Sequence, residues 1–343
     1  MADQTDVLIN SFKTLNPFIS HPDSLEELLD KIIQPALRTQ RTVERIHPND
    51  PFFDRAKNLR QKYKLPQKGF ENFQRLLCGI RDFPCILLQN PKNDELEFEE
   101  MIAETDSLYW LQEVLNNNGF NLDDIIVIDL FPMLTDTWLE EHPDESPQAI
   151  QDMFNLTLDF IHEFKLPIIL SCQCFNPSRK TRKTLWASFS HTKIGDLRSS
   201  MNGAEFHTVS QFSHMTHTAH VVHGFHPAHL SYDHCEDYIE FWNTTLRTIF
   251  HLLFGPYAKY LQRYRAAQSE IELIRSSFQA LHRRVTKFDR VHEQGLALDM
   301  FENQDEPSIL DDWNDLKSTL DPILKKLSPK TPANLLLSAP GLI

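Results

Sequence analysis

Short apolar segments alternate with longer amphipathic segments through the middle of the 343-residue chain. The apolar segments have the length of buried strands and cover residues 83–88, 124–129, 166–172 and 218–222. The amphipathic segments carry apolar residues at helical spacing and cover residues 106–117, 148–164 and 238–254. Because right-handed helical crossovers join parallel strands, this order predicts an α/β fold in which a four-stranded, mainly parallel sheet is flanked by helices.

The chain changes character twice and is expected to have three parts. Residues 1–76 read as a helical extension packed on the core, and residues 77–255 form the α/β domain. Residues 256–343 read as a second helical extension with an acidic linker at 302–307. Its residues 258–288 form an amphipathic helix that packs either on its own chain or on a protein partner. The apolar stripe of this helix comprises Ile271, Ile274, Phe278, Leu281, Val285 and Phe288.

Composition removes several classes of function. None of the nine glycines forms a Gly-x-Gly pattern, so neither a phosphate-binding loop nor a dinucleotide fingerprint is expected. Five cysteines in a long chain favour a reducing compartment over a disulfide framework. The acidic start lacks the basic region of a secretory signal, and no apolar run is long enough to span a membrane. We therefore expect an intracellular protein, nuclear or cytoplasmic, with no membrane partner.

Polar residues follow the predicted strands at the ends where α/β proteins bind ligands. The first strand is followed by Gln89 and Asn90, the second ends at Asp129, and the fourth leads to His226. A carboxamide, a carboxylate and an imidazole are therefore expected at one crevice. Such groups can read a small heterocycle by hydrogen bonds and stabilise a leaving anion.

These segments resemble motifs of the uracil-DNA glycosylase superfamily. Residues 226–231, His-Pro-Ala-His-Leu-Ser, are similar to the superfamily loop His-Pro-Ser-Pro-Leu-Ser. Residues 89–92, Gln-Asn-Pro-Lys, are similar to its first motif, and Ser107-Leu108 lie where the family has a Pro-Ser-Leu helix. Asp129 stands where the family keeps a base-reading Asn. The resemblance implies a four-stranded three-layer fold that hydrolyses the bond joining a flipped base to deoxyribose.

The resemblance also implies a role for each matched residue. His226 would hydrogen-bond the leaving base, and Asn90 would position the attacking water. Gln89 and Asp129 would contact the base, and the base would stack on Phe98 or Tyr109. Because an ionised carboxylate only accepts hydrogen bonds, a catalytically altered relative that binds a nucleobase, nucleic acid or protein is the alternative. The residues expected to contact DNA are the wedge Leu230 and the phosphate ligand Ser231.

Two further patterns bear on partners. A net charge of −14 means that contact with DNA, single-stranded or damaged, has to come from a local basic patch. The candidate patch is a run of basic residues, Arg179, Lys180, Arg182 and Lys183. The alternative interpretation of this run is a solvated loop without a partner. Histidines at every third position over 214–229, together with Cys172 and Cys174, suggest a zinc-dependent hydrolase as a second alternative. Because Gly224 and Pro227 break any helix there, we expect no metal or other cofactor.

Overall fold

The computed structural model of the protein describes residues 22–92, 95–173, 189, 191–231 and 236–293, together with residues 314, 315 and 318. The chain divides into two compact units, Met1–Leu261 and Gln262–Ile343. The first unit holds the sheet and every residue of the candidate site that the structure describes.

One five-stranded mixed sheet lies in the first unit. Its strands are β1 (Cys85–Leu88), β2 (Val127–Asp129), β3 (Ile168–Ser171), β4 (Val209–His214) and β5 (His217–His223). Their order across the sheet is β2-β1-β3-β5-β4. The pairs β2-β1, β1-β3 and β3-β5 are parallel, and β4 pairs antiparallel with β5. The α/β class predicted from the sequence is confirmed, but the expected count of four strands is wrong because β4 adds an antiparallel edge.

The sequence does not reveal β4 because both of its local signals are missing. Its buried residues are Val209 and Phe212, three positions apart, so the period-two pattern of a half-buried strand is absent. The two-residue connection to β5 contains Met215, which takes a positive φ of 50°. Such turns usually contain Gly, Asn or Asp, so a turn with Met215 gives no sequence signal for a hairpin.

Both faces of the sheet are buried, because successive strand residues point to opposite sides. In β1, Cys85 and Leu87 belong to one apolar cluster, and Ile86 and Leu88 belong to the other. The first cluster takes its helical residues mainly from Pro51–Lys62, Gln67–Leu77 and Ser146–Glu163. The second cluster takes its helical residues mainly from Phe98–Glu104, Asp106–Asn117 and the beginning of Glu236–Glu293. The first unit therefore has a helical layer on each face of the sheet.

The segment before the first strand contributes to both of these layers. Leu25 and Leu28 join the second cluster, whereas Phe52 and Phe53 join the first. The backbone around Ser24 pairs with the residues that lead into β4, so this segment is also tied to the edge of the sheet. The remaining short elements of the described residues are Leu25–Leu28, the π-helical turn Leu29–Ile33, Gln34–Thr39, the 3-10 turn Leu122–Asp124, Asp136–Glu141, Met201–Glu205 and the 3-10 turn Pro227–Ser231.

The longest helix continues through a glycine-proline pair. The sequence predicts a helix that ends before Gly255-Pro256, but the structure has one helix of 58 residues, Glu236–Glu293, with Pro256 inside it. A proline inside a helix removes a backbone hydrogen bond and costs about 3 kcal/mol. Burial of Phe254, Tyr257 and Leu261 on the adjacent turns offsets this cost. Across the described ranges, no helix is long and apolar enough to cross a membrane.

Candidate functional site

The carboxyl ends of the four parallel strands lie at one edge of the sheet. The register pairs Leu88 with Asp129, Leu87 with Ser171, and Ser171 with His223. Adjacent strands are about 4.8 Å apart, so three strand spacings separate the ends of β2 and β5 by roughly 14 Å. Ligands of open α/β sheets bind outside this edge. The polar residues that end or follow the strands here are Gln89, Asn90, Asp129, Ser171, Gln173, His223 and His226.

The side-chain amide of Asn90 is held at both of its ends. Its Nδ2 donates to the carbonyl oxygens of Pro91 and Leu134, both at 3.3 Å, and to Asp136 Oδ1 at 3.4 Å. Gln89 Nε2 donates to Asn90 Oδ1 at 3.2 Å. These bonds fix the orientation of the amide against the loop that follows β2. Because a carbonyl oxygen has two lone pairs, Oδ1 can still accept one further hydrogen bond.

Asp129 ends β2 with a carboxyl group that has no hydrogen-bond partner among the described residues. The side chain is partly buried, and the loss of hydration raises the pKa of the carboxyl from 3.8 to about 7. The backbone is held in place, since Thr157 Oγ1 donates to the Asp129 carbonyl oxygen at 2.9 Å. Near neutral pH the group is therefore a mixture of an ionised form, which only accepts, and a protonated form, which also donates.

His226 begins a loop that continues as a 3-10 turn over Pro227–Ser231. The Ala228 N–H donates to His226 Nδ1 at 3.3 Å, and Ser107 Oγ lies 3.3 Å from the same nitrogen. A backbone N–H can only donate, so Nδ1 is an acceptor and the neutral ring carries its proton on Nε2. Ser107 lies in the first turn of Asp106–Asn117, and this helix contacts the 3-10 turn. The loop and the helix together therefore set the tautomer of the imidazole.

The other residues expected to contact the base or DNA have different environments. Leu230 is partly buried against the second apolar cluster, and Ser231 is exposed. Tyr109 is 57% exposed, so its ring is free to stack. Phe98 is only 6% exposed, and the Arg75 guanidinium lies over its ring at 3.7 Å from the centroid. Phe98 therefore packs in the core with one face of its ring covered.

Sequence reasoning missed a group of buried polar residues at the end of β3. Ser171 Oγ and Gln173 Nε2 both donate to the carbonyl oxygen of Leu197, at 2.6 and 2.7 Å. Ser199 Oγ donates to the carbonyl oxygen of Gln173 at 2.6 Å. These bonds hold residues 197–199 at the middle of the sheet edge, since β3 lies between β1 and β5. The available signal was the pair Ser171 and Gln173, which flank Cys172 at the end of the apolar segment 166–172.

The histidines at every third position lie mainly on the β4–β5 hairpin and do not surround one point. Strand residues alternate between faces, so this spacing puts His220 on the opposite face of β5 from His217 and His223. His223 Nε2 lies 3.1 Å from Ser210 Oγ, which gives that ring a polar contact within the hairpin. Among the residues that the structure describes, no three His, Cys, Asp or Glu side chains are arranged to hold a metal ion.

The acidic linker at 302–307 lies outside the described residues, as do two features that bear on the candidate functions. One is Cys174, which belonged to the zinc alternative. The other is the basic run, which consists of Arg179, Lys180, Arg182 and Lys183.

Comparison with known proteins adds no family assignment. No model of a known protein family matches the chain, and no curated protein matches it. The resemblance to the uracil-DNA glycosylase superfamily therefore depends on the motifs in the sequence and on the chemistry available at the edge of the sheet.

Proposed function

We propose that the protein is a uracil-DNA-glycosylase-like hydrolase that cleaves the N-glycosidic bond of a flipped uracil or damaged base in DNA. The observation that carries the proposal is the common location of Asn90, Asp129 and His226 at the carboxyl edge of the parallel strands. In the reaction, a water oxygen bonds to the sugar carbon while the bond to the base nitrogen breaks. The base leaves with the electron pair, and a proton of the water passes to solvent.

His226 is suited to stabilise the leaving base. Its Nδ1 accepts from the Ala228 N–H, so Nε2–H is the donor of the neutral ring. A donor fixed in place before the reaction meets the charge that develops on the base without reorganisation, and losing such a donor typically costs about 10²–10³ in rate. A neutral imidazole also adds no positive charge to the ground state of the site.

Asp129 is suited to read the edge of the base. In its protonated form the carboxyl offers one donor and one acceptor, as the amide of an Asn does. A pKa of about 7 makes this form abundant at neutral pH. The ionised form would repel an anionic leaving base, so we expect base release to fall as Asp129 loses its proton.

Asn90 is suited to orient water but not to deprotonate it, because an amide is not a base. Its Nδ2 and Oδ1 are already engaged by Leu134 and Gln89, so its orientation is preset. The remaining acceptor site on Oδ1 can hold the attacking water. Orientation of the reactants is itself a large source of rate enhancement.

The direct test is single-turnover base release from single-stranded DNA containing one uracil, where no base pair has to be broken. We expect slow release by the wild-type protein and none by His226→Ala. The matched control is His251→Ala, because His251 is an exposed histidine on the long helix that bonds Asn118. Release that survives His226→Ala, or that is lost equally in His251→Ala, would contradict the role of His226.

Contact with DNA is expected to depend on the basic run. Affinity for single-stranded DNA should fall steeply with salt, because released counterions drive such binding. Removing the four charges of the basic run should abolish most of that salt dependence. The substituted residues are Arg179, Lys180, Arg182 and Lys183. A control with the same change in net charge removes four exposed basic residues, Arg38, Arg41, Lys57 and Lys64. Equal salt slopes in the two variants would assign the basic run to a solvated loop.

A second candidate function is a nucleobase-binding module without hydrolysis, and the state of Asn90 favours it. The donors of this amide are used within the protein, and an amide cannot take a proton from water. This candidate predicts that uracil-containing DNA binds more tightly than matched thymine-containing DNA while no base is released. Fluorescence anisotropy with the two DNAs, followed by alkaline cleavage of the recovered strand, distinguishes binding from hydrolysis.

We also propose a protein partner for residues 258–288. Three large apolar side chains of this helix are about half exposed, namely Ile271, Leu273 and Phe278. Ile271 and Phe278 are seven positions apart and lie on one face of the helix, which is the spacing of helices that pack on another chain. Light scattering of the wild-type protein and of Phe278→Glu tests self-association. If both proteins have the mass of a monomer, the partner of this helix is not a second copy of the chain.

A further inference from the structure

Ser107 carries a buried hydroxyl whose partner among the described residues is the ring of His226. The residue is 5% exposed, and its Oγ lies 3.3 Å from His226 Nδ1. A buried hydroxyl without a hydrogen bond is costly, so such groups nearly always have a partner. The resemblance assigned Ser107 no task beyond its place in a helix.

The direction of this hydrogen bond follows from a second donor on the same nitrogen. The Ala228 N–H points at His226 Nδ1 from 3.3 Å and cannot accept, so Nδ1 is unprotonated. The Ser107 hydroxyl therefore donates to Nδ1 as well. Two donors that approach one nitrogen from different segments restrict rotation of the ring more than either donor alone.

The two donors also differ in how rigidly the surrounding structure holds them. Ala228 belongs to the 3-10 turn itself, so it moves with the loop that carries His226. Ser107 belongs to Asp106–Asn117, whose Leu111 and Leu115 are fully buried. The hydrogen bond from Ser107 therefore fixes the loop relative to a packed helix. A side chain supported by a packed helix is positioned more accurately than one supported by its own loop alone.

The same helix is bound to the long helix that follows the loop. Trp110 Nε1 donates to Asn243 Oδ1 at 3.1 Å, and Arg247 pairs with Glu113 at 2.8 Å. The long helix Glu236–Glu293, which follows the His226 loop in the chain, therefore holds the helix that carries Ser107.

We propose that Ser107 is a positioning residue: its hydroxyl donates to His226 Nδ1 and fixes the imidazole so that Nε2–H is directed at the reacting base. This inference rests on the proposed role of His226 in base release. It adds a residue from a different segment, Asp106–Asn117, to the machinery at the end of β5.

The test uses Ser107→Ala, which removes the hydroxyl, and Ser107→Thr, which keeps it. Ser146→Ala is the matched control, since Ser146 is also a buried serine in the first turn of a helix and bonds only backbone carbonyls. The first readout is the ring ¹⁵N spectrum of histidine-labelled protein, with His226 assigned by its loss in His226→Ala. The second is the single-turnover rate of uracil release, measured beside the affinity for the same DNA.

We expect Ser107→Ala to move the Nδ1 resonance toward that of an imidazole nitrogen lacking a hydrogen bond and to slow base release about tenfold. DNA affinity should stay within about twofold, and Ser107→Thr should restore both the resonance and the rate. An Nδ1 resonance unchanged in Ser107→Ala, or shifted equally by Ser146→Ala, would overturn the inference. Absence of base release from the wild type would refute the proposed function instead, and the resonance would still decide whether Ser107 holds the ring.

Discussion

Replacing Asp129 with Asn tests the chemistry of the base-reading position directly. The carboxyl has no hydrogen-bond partner among the described residues, and burial raises its pKa to about 7. An amide of the same size presents a donor and an acceptor at every pH, whereas the carboxyl does so only when protonated. Asp129→Asn should therefore raise base release where the wild-type group is ionised and change little where it is protonated.

The size of the effect follows from the pKa. With a pKa of about 7, roughly nine-tenths of the groups are protonated at pH 6 and about one-tenth at pH 8. If only the protonated form releases the base, the variant should exceed the wild type about tenfold at pH 8 and by little at pH 6. The ratio of the two rates at each pH removes titrations that both proteins share.

The assay is single-turnover release of uracil from single-stranded DNA between pH 5.5 and 8.5. The ratio of variant to wild-type rate should be flat at low pH and rise tenfold per pH unit above about 7. A ratio below one throughout would show that the carboxylate itself takes part in catalysis. A ratio independent of pH would show that the protonation of Asp129 does not control the reaction.

The same substitution should change stability in a pH-dependent way. A carboxyl whose pKa is higher in the folded state favours folding in its protonated form, and this contribution is lost as pH rises from 3.8 through about 7. At 1.36 kcal/mol per pKa unit, the ionised group costs the folded state up to about 4 kcal/mol. Urea unfolding should therefore show Asp129→Asn to be more stable than the wild type at pH 8 and equal to it at pH 4. Equal stability at both pH values would mean that the carboxyl is well solvated.

Two other substitutions probe packing and acid sensitivity. A Cβ added at Gly79 would lie 2.5 Å from the backbone carbon of Ile125 and from the backbone nitrogen of Ile126, so Gly79→Ala should lower the free energy of unfolding by about 1–3 kcal/mol. In urea titrations Gly195→Ala, which meets open space, should be neutral, and an equal loss would refute the close contact. Burial lowers the pKa of His223 below 6.5, so its contribution to stability is present above pH 6.5 and is lost as pH falls through the folded-state value. His223→Gln should flatten the fall in melting temperature between pH 7.5 and 5.5, and an unchanged slope would assign the acid sensitivity to other groups.

Local periodicity identified the four parallel strands and two of the core helices. The predicted helix 106–117 has the observed bounds Asp106–Asn117, and 148–164 differs by two residues at its start and one at its end from Ser146–Glu163. The four predicted strands are present and parallel. These segments could be predicted because burying one face of a helix, or both faces of a strand, imposes a repeat on the sequence itself.

The sequence also predicted which residue types lie at the ends of the strands. Asp129 ends an apolar segment, and Asn90 and His226 follow apolar segments after one and three intervening residues. The rule that parallel strands share one carboxyl edge brought them to one side of the fold. Sequence order and strand direction therefore determined the membership of the candidate site. Its hydrogen bonds and proton affinities did not follow from either.

Those properties depend on contacts between residues far apart in the chain. Ser107 and His226 are 119 positions apart, so no local pattern predicts that one hydroxyl meets that ring. The high pKa of the Asp129 carboxyl comes from the atoms that exclude water around it, and composition carries no record of them. The strand β4 and the helix through Pro256 exist because tertiary packing outweighs weak local signals by a few kcal/mol. Periodicity records which faces are buried, and only the folded chain decides which groups meet there.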